Sequence, residues 1–181
     1  AHDGLTSLWN RKAILEILQR ELLRAQRDHQ PVGLIMIDVD HFKNINDSRG
    51  HAAGDSVLRI IASGIAAVVR PYDSVGRYGG EEFLIVAPNC GLAETWELAE
   101  RVRVHVAGCS IMAGGSSVQV SLSLGVATGE AAADLEKLLH AADSALYQAK
   151  NAGRNRVEPS LGRAAGAGQS NTSTPNRDFW L

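Results

Sequence analysis

Arg77-Tyr-Gly-Gly-Glu-Glu-Phe83 sets two glycines and then two adjacent carboxylates at the head of an apolar run, Leu84-Ile-Val-Ala87. The run before it, Ser74 to Tyr78, and the run after it, Glu81 to Ala87, both read as β-strands. The Gly79-Gly80 pair between them signals a tight two-residue hairpin, because such turns need positive φ, which glycine supplies without strain. Side chains alternate along a strand, so Glu81 and Glu82 are expected on opposite faces. A second acidic feature closes another apolar strand, Leu34-Ile-Met-Ile-Asp-Val-Asp40, where Asp38 and Asp40 share a face with Val39 between them. If the hairpin lies beside this strand, Asp38 and Glu81 converge on a hard divalent cation, with a backbone carbonyl as a further oxygen ligand. Magnesium suits so few carboxylates, since it fills its octahedron with water and phosphate oxygens. The competing reading is that these acids mark solvated strand ends.

The remaining chain supplies the framework. Leu15, Leu18, Leu22 and Ala25 recur at helical spacing, as do Val57, Leu58, Ile61, Ile65 and Val68; a third helix is predicted over Leu92 to Val106. A fourth apolar stripe runs through Leu135, Leu138, Leu139, Ala142, Leu146 and Ala149. With strands predicted at Val32 to Val39 and Val118 to Ala127 as well, helices alternate with strands and an α/β sandwich follows.

The 181 residues suit one domain, and a net charge of -2 gives no basic footprint for a nucleic-acid polymer. The apolar-rich uncharged run Ile60 to Val69 is half the roughly 20 residues a membrane helix needs. Neither a signal peptide nor a cysteine framework is visible. Cys90 and Cys109 read as ordinary half-buried thiols, so a cytoplasmic setting is expected for this domain, within a full-length protein that a membrane anchor could carry. Composition changes after Val157. Residues 1–157 are expected to form the domain, and 158–181, rich in Gly, Ala, Ser and Asn and ending in Asp178-Phe-Trp-Leu181, a mostly disordered tail.

Five blocks in order carry a resemblance: Asp3-Gly-Leu-Thr-Ser-Leu-Trp-Asn-Arg11; Asp38-Val-Asp-His-Phe-Lys-Asn-Ile-Asn-Asp47; Gly50-His51 with Gly54-Asp55; Arg77 to Phe83; and Tyr147-Gln-Ala-Lys-Asn-Ala-Gly-Arg-Asn-Arg156. Together they resemble the GGDEF family of diguanylate cyclases over residues 3 to 157, with the signature spelled GGEEF. Ser7 stands where many relatives have glycine, and Arg49 where they usually have an aromatic residue. The resemblance implies a nucleotidyl cyclase-like fold, a central mixed β-sheet flanked by helices, related to polymerase palms and adenylyl cyclases. It also implies an activity: two GTP joined into cyclic di-GMP with loss of pyrophosphate.

Position by position, the resemblance assigns Asp38, the Val39 carbonyl and Glu81 to magnesium, with manganese as the alternative ion, and makes Glu81 a candidate proton acceptor. Lys43 would steady phosphate charge; its alternative is an exposed loop lysine. Phe42 belongs to the same substrate-binding block. Glu82 either touches the attacking ribose or satisfies backbone groups near the turn. Asn46 can donate to guanine O6 while Asp55 accepts from N1-H and N2-H. His51 is either a substrate contact or a capping or packing histidine. Lys150 and Arg154, where the fourth helix runs out at Gly153, would grip the β and γ phosphates; outside this context they are a basic helix terminus.

Arg70-Pro-Tyr-Asp73 fits the RxxD pattern that these enzymes place five residues before the glycines, where Arg70 can bind phosphate or guanine and Asp73 a base edge. Product feedback inhibition is implied there, with Arg77 and Arg101 as additional arginines; a surface ion pair between Arg70 and Asp73 is the alternative. Because one site holds one GTP, turnover is expected to need a homodimer. An upstream sensory or dimerisation module is expected in the full-length protein. A non-catalytic module that binds GTP or cyclic di-GMP, and another nucleotidyl transferase on the same scaffold, remain the other readings.

Overall fold

A computed structural model of the protein describes residues 1–132 and 135–160. The order is α1 (Arg11–Asp28), β1 (Val32–Val39), α2 (Phe42–Arg49), α3 (His51–Val68), β2 (Ser74–Arg77), β3 (Glu82–Pro88), α4 (Leu92–Ala107), β4 (Ile111–Ala113), β5 (Ser116–Val118), β6 (Leu122–Gly129), α5 (Leu135–Asn151) and β7 (Arg156–Pro159). Five strands form one sheet in the order β2-β3-β1-β6-β7. β1 runs antiparallel to both neighbours, and β6 parallel to β7.

β1 is apolar at nearly every position because both of its faces are covered. Ile35, Ile37 and Val39 meet Val57, Ile61 and Ile65 of α3 and Leu98 and Val102 of α4 in one core. Leu34 and Met36 meet Ile14, Leu18 and Leu22 of α1 and Leu138, Ala142 and Leu146 of α5 in the other. The parity of β1 therefore sends Asp38 and Asp40 toward the α1/α5 layer.

Each predicted helix forms, and the mixed sheet flanked by helices is present. The corrections are local. Gly79-Gly80 is not a two-residue turn: β2 ends at Arg77 and β3 starts at Glu82, and neither glycine has a positive φ. Tyr78 and Gly79 instead both donate their N–H to the Glu82 carbonyl, at 2.8 and 3.2 Å. The tight turn occurs at Gly114-Gly115, with φ of 62° and 81°, between Ala113 and Ser116. A break at 119–121 divides the single strand expected from Val118 to Ala127, leaving Val118 at the end of β5. Ser7 has φ 61°, a conformation glycine holds without cost, which accounts for the glycine of many relatives there.

Helix α2 was not expected from periodicity, since only Phe42 and Ile45 of its eight residues are buried. Arg49 at its end donates to the Ala113 carbonyl and the Ser116 hydroxyl, tying α2 to the β4–β5 hairpin. β7 also was not expected, and it runs two residues past the compositional break at Val157. The rest of the tail, from 161 on, including Phe179-Trp180, lies outside the described residues. Cys90 is buried and Cys109 half-buried, both as free thiols. No described helix is long and apolar enough to cross a membrane.

Candidate active site

The site forms where β1 ends beside the β2–β3 loop. Asp38 stands opposite Glu82 in the antiparallel register, and the Val39 N–H donates to the Glu81 carbonyl at 3.3 Å. Asp38 is 7% exposed, and Lys150 Nζ from the end of α5 lies 3.0 Å from its Oδ2. Burial pushes the Asp38 carboxyl above its ordinary value; Lys150 pulls it back in part, Asp40 pushes it further up, and Arg154 pulls it down. Burial, followed by the charge of Asp38, also pushes both Glu81 and Glu82 up, while Lys150 opposes the rise in each. Both glutamates thus fall within electrostatic reach of Asp38.

Asp38 is paired with Lys150, and its charge acts on both Glu81 and Glu82, so hard carboxylate oxygens of the kind a divalent cation takes lie near one another, but no cluster of three such side chains close enough to hold a metal ion is present among the described residues. A carboxyl raised by folding binds protons more tightly in the folded state. Its charge therefore costs stability, absent below the ordinary values of 3.8 for Asp and 4.5 for Glu and growing as pH climbs through the folded values. In metal-free buffer Glu81→Gln should melt higher than the wild type at about pH 7, with the gap closing by about pH 4. Calorimetry at the two pH values checks this, and an equal gap at both would count against it.

Two other groups converge from α2 and α3. Phe42 is buried, and one turn later Asn46 turns its Oδ1 into the protein, where it has no hydrogen-bond partner. A Cβ on Gly54 would lie 1.9 Å from that oxygen and 3.1 Å from Phe42 Cζ, so only glycine lets the carboxamide lie against α3 beside Asp55. Asp55 and His51 are exposed on the first turns of α3, and no side chain caps that helix, so His51 does not cap it. Lys43 is exposed on α2 rather than in a loop.

α5 ends in a Schellman motif: Arg154 N–H bonds to the Ala149 carbonyl at 3.0 Å and Gly153 N–H to the Lys150 carbonyl at 3.5 Å, with Gly153 at φ 117°. This closure sets Lys150 and Arg154 at one end of the helix, both acting on Asp38.

The RxxD pair is a preformed clamp. Asp73 has a fully buried side chain and takes Arg70 Nε at 3.0 Å, Nη2 at 2.7 Å and the Arg70 backbone N–H at 2.8 Å. These bonds, ahead of the opposing effect of burial, hold the guanidinium more firmly protonated. Asp73 therefore orients Arg70. Arg70 also stacks on Tyr72, 4.5 Å from the ring centroid, and donates to the Pro88 carbonyl.

Arg77 is not brought to this pair. It sits at the opposite end of β2, donates to Asp3 at 3.3 Å and to the Gly80 carbonyl at 2.7 Å, and so braces the glycine loop against the entry turn. Arg101 is exposed on α4. Sequence reasoning missed this bracing role of Asp3 and Arg77, and it missed Asp40, whose carboxylate is buried against Ser121, Ser123 and Asn155. The alternation that paired Asp40 with Asp38 was the available signal.

Comparisons agree with this geometry. Residues 1–156 match the family described as "Diguanylate cyclase, GGDEF domain". The chain is 44% identical over 157 residues to diguanylate cyclase DosC of Escherichia coli K12, covering 86% of this chain and 34% of that protein, so it spans about a third of that relative's length. The GGDEF domain of DgcB from Caulobacter crescentus, solved in complex with c-di-GMP, superposes with a TM-score of 0.84 at 35% identity, over 89% of this chain and 96% of that one. The active GGEEF domain of a diguanylate cyclase from Vibrio cholerae gives 0.79 at 35% identity, over 86% and 99%. With the match running through nearly every described residue and both chemical ends of the site in place, the chain belongs to the GGDEF family of diguanylate cyclase domains.

Proposed function

We propose that this domain condenses two GTP molecules into cyclic di-GMP, releasing two pyrophosphates. The observation that supports the reading is Asp38 paired with Lys150 at 3.0 Å at the end of β1, beside the loop that carries Glu81 and Glu82. In each half-reaction a ribose 3′-oxygen forms a bond to the α-phosphorus of the other nucleotide, the bond from that phosphorus to the β-phosphate bridge breaks, and pyrophosphate leaves. The hydroxyl proton passes to Glu81. Asp38, the Val39 carbonyl and Glu81 would hold a magnesium ion, or manganese in its place, which when bound would neutralise charge on the triphosphate and lower the pKa of the attacking hydroxyl.

Lys43 steadies negative charge on the phosphates, and Lys150 and Arg154 hold the β and γ groups. Asn46, oriented by Gly54, donates to guanine O6, and Asp55 accepts from N1-H and N2-H, so adenine leaves both unsatisfied. Phe42 packs beneath this pair, His51 borders the same opening, and Glu82 faces the ribose. A homodimer presents one nucleotide to the other, so the initial rate rises with the square of enzyme concentration where dimers are scarce. Chromatography of the product formed from GTP and magnesium tests the proposal. Failure to form a cyclic dinucleotide from protein concentrated enough to dimerise, or held as a dimer, would sink it.

Product inhibition works through Arg70. Its Nη1 has no hydrogen-bond partner among the described residues and can donate to a phosphate while Asp73 fixes the plane of the guanidinium. Arg70→Ala is expected to raise the cyclic di-GMP concentration needed for half-inhibition by about tenfold or more, the worth of one charge-assisted bond. Titration of initial rate against added product measures it. Unaltered inhibition would leave Arg70 and Asp73 as an ion pair alone.

A further inference from the structure

Beyond its charge acting on Asp38, Asp40 has no role in the site as built above, yet it is 5% exposed and fully engaged. Its Oδ1 accepts from the Ser123 hydroxyl at 2.6 Å, and its Oδ2 accepts from the Ser121 hydroxyl at 2.6 Å and from the Asn155 backbone N–H at 3.0 Å. On the other side of Asn155, Arg103 Nη1 donates to the Asn155 Oδ1 at 2.8 Å, and Arg103 is itself bound to Glu100. Asn155 is therefore gripped from β1 and from α4 at once.

The backbone between these grips is unusual. Gly153, Arg154 and Asn155 have φ of 117°, 62° and 45° in succession. Left-handed geometry is cheap for glycine but costly for arginine, and it persists at such positions only where the surroundings over-determine it. As folded, Arg154 acts on Asp38, the acid at the heart of the site.

We infer that Asp40 is a positioning residue for the triphosphate end of the nucleotide: by holding the Asn155 N–H it fixes the left-handed Arg154 in the orientation that presents its guanidinium to the phosphates. This rests on the diguanylate cyclase reading and deepens it. Asp40 is placed in contact with neither substrate nor metal, and its hold on the phosphates runs through Arg154.

Calorimetric titration with magnesium, using GMP and a GTP analogue whose α and β phosphates are joined by a methylene group, tests the inference without turnover. The wild type binds the analogue more tightly than GMP. In Asp40→Ala the analogue weakens by about tenfold, the scale of one charge-assisted contact, while GMP stays within about twofold. Asp40→Asn restores the preference, because the Ser123 hydroxyl can rotate and accept from the new amide while the amide oxygen serves Ser121 and Asn155. In an Arg154→Ala background, Asp40→Ala weakens the analogue no further, since the group it positions is already gone.

Equal weakening of both ligands, an intact preference in Asp40→Ala, or additive losses in the double variant would each overturn the inference. Should Asp40→Ala fail to fold, Arg103→Met severs the outer grip on the same residue. A preference reduced by about threefold then supports the inference, and an unchanged one overturns it. A wild-type protein that binds neither nucleotide removes the enzymatic reading, and this one with it.

Discussion

Glu81→Gln is expected to cut cyclic di-GMP formation by about 10³-fold or more while GTP affinity stays within about tenfold. The amide keeps the shape of the side chain but loses the negative charge and the capacity to take a proton. Those are the two properties the site asks of it. The loop that carries Glu81 is held by the Tyr78 and Gly79 bonds to the Glu82 carbonyl and by Arg77, none of which involve the Glu81 side chain, so the fold has no reason to change. Product chromatography at saturating GTP and magnesium measures the loss, and titration with the non-reacting analogue measures affinity. Turnover within tenfold of the wild type would remove Glu81 from the mechanism.

Gly125→Ala is expected to be the most damaging single change to stability, at about 3 kcal/mol, the upper end for overpacking. A Cβ there would lie 2.2 Å from both the Ala142 carbonyl oxygen and the Leu146 nitrogen of α5. Those are backbone atoms, so no rotamer change relieves the clash, and the helix must move away from β6. Because Lys150 rides on the end of α5, its 3.0 Å contact with Asp38 lengthens as well. Gly80→Ala is the matched control: its Cβ meets nothing within 4 Å, and its stability is expected within about 0.5 kcal/mol of the wild type. Urea unfolding with unchanged m-values measures both. A loss at Gly125 no larger than that at Gly80 would mean that α5 is not seated on β6 as closely as described.

The helices were legible in the sequence because each carries its own record of burial. The stripe through Leu135, Leu138, Leu139, Ala142, Leu146 and Ala149 could face a core only on one side of a helix; Leu138, Ala142, Leu146 and Ala149 are buried, and Leu135 and Leu139 are partly buried against the core. Helix α2 left no such record, since its purpose is to carry exposed Lys43 and half-buried Asn46 at the rim of the site and only Phe42 and Ile45 anchor it. The glycine pairs show the limit of turn chemistry. The same dipeptide makes a tight left-handed turn at 114–115, yet at 79–80 it stays out of that region, where bare backbone opens onto the site and Arg77 binds its carbonyls. Dipeptide identity constrains the accessible φ; strand register decides which conformation is used.

Ordered motifs, hydrophobic period and the alternation of β1 were determined by the sequence alone, because each depends on residues within a turn or two of one another. The architecture followed from them, as did the placing of Asp38 and Asp40 on one face. What became of those two acids was decided only by the tertiary structure. Asp38 opens toward Glu81, Glu82 and Lys150, whereas Asp40 is sealed by an amide 115 residues further along the chain. Nothing local separates the two, since the energy of a carboxylate is set by the water removed from it and by the donors brought to it. Both are properties of the packed sheet and its helices.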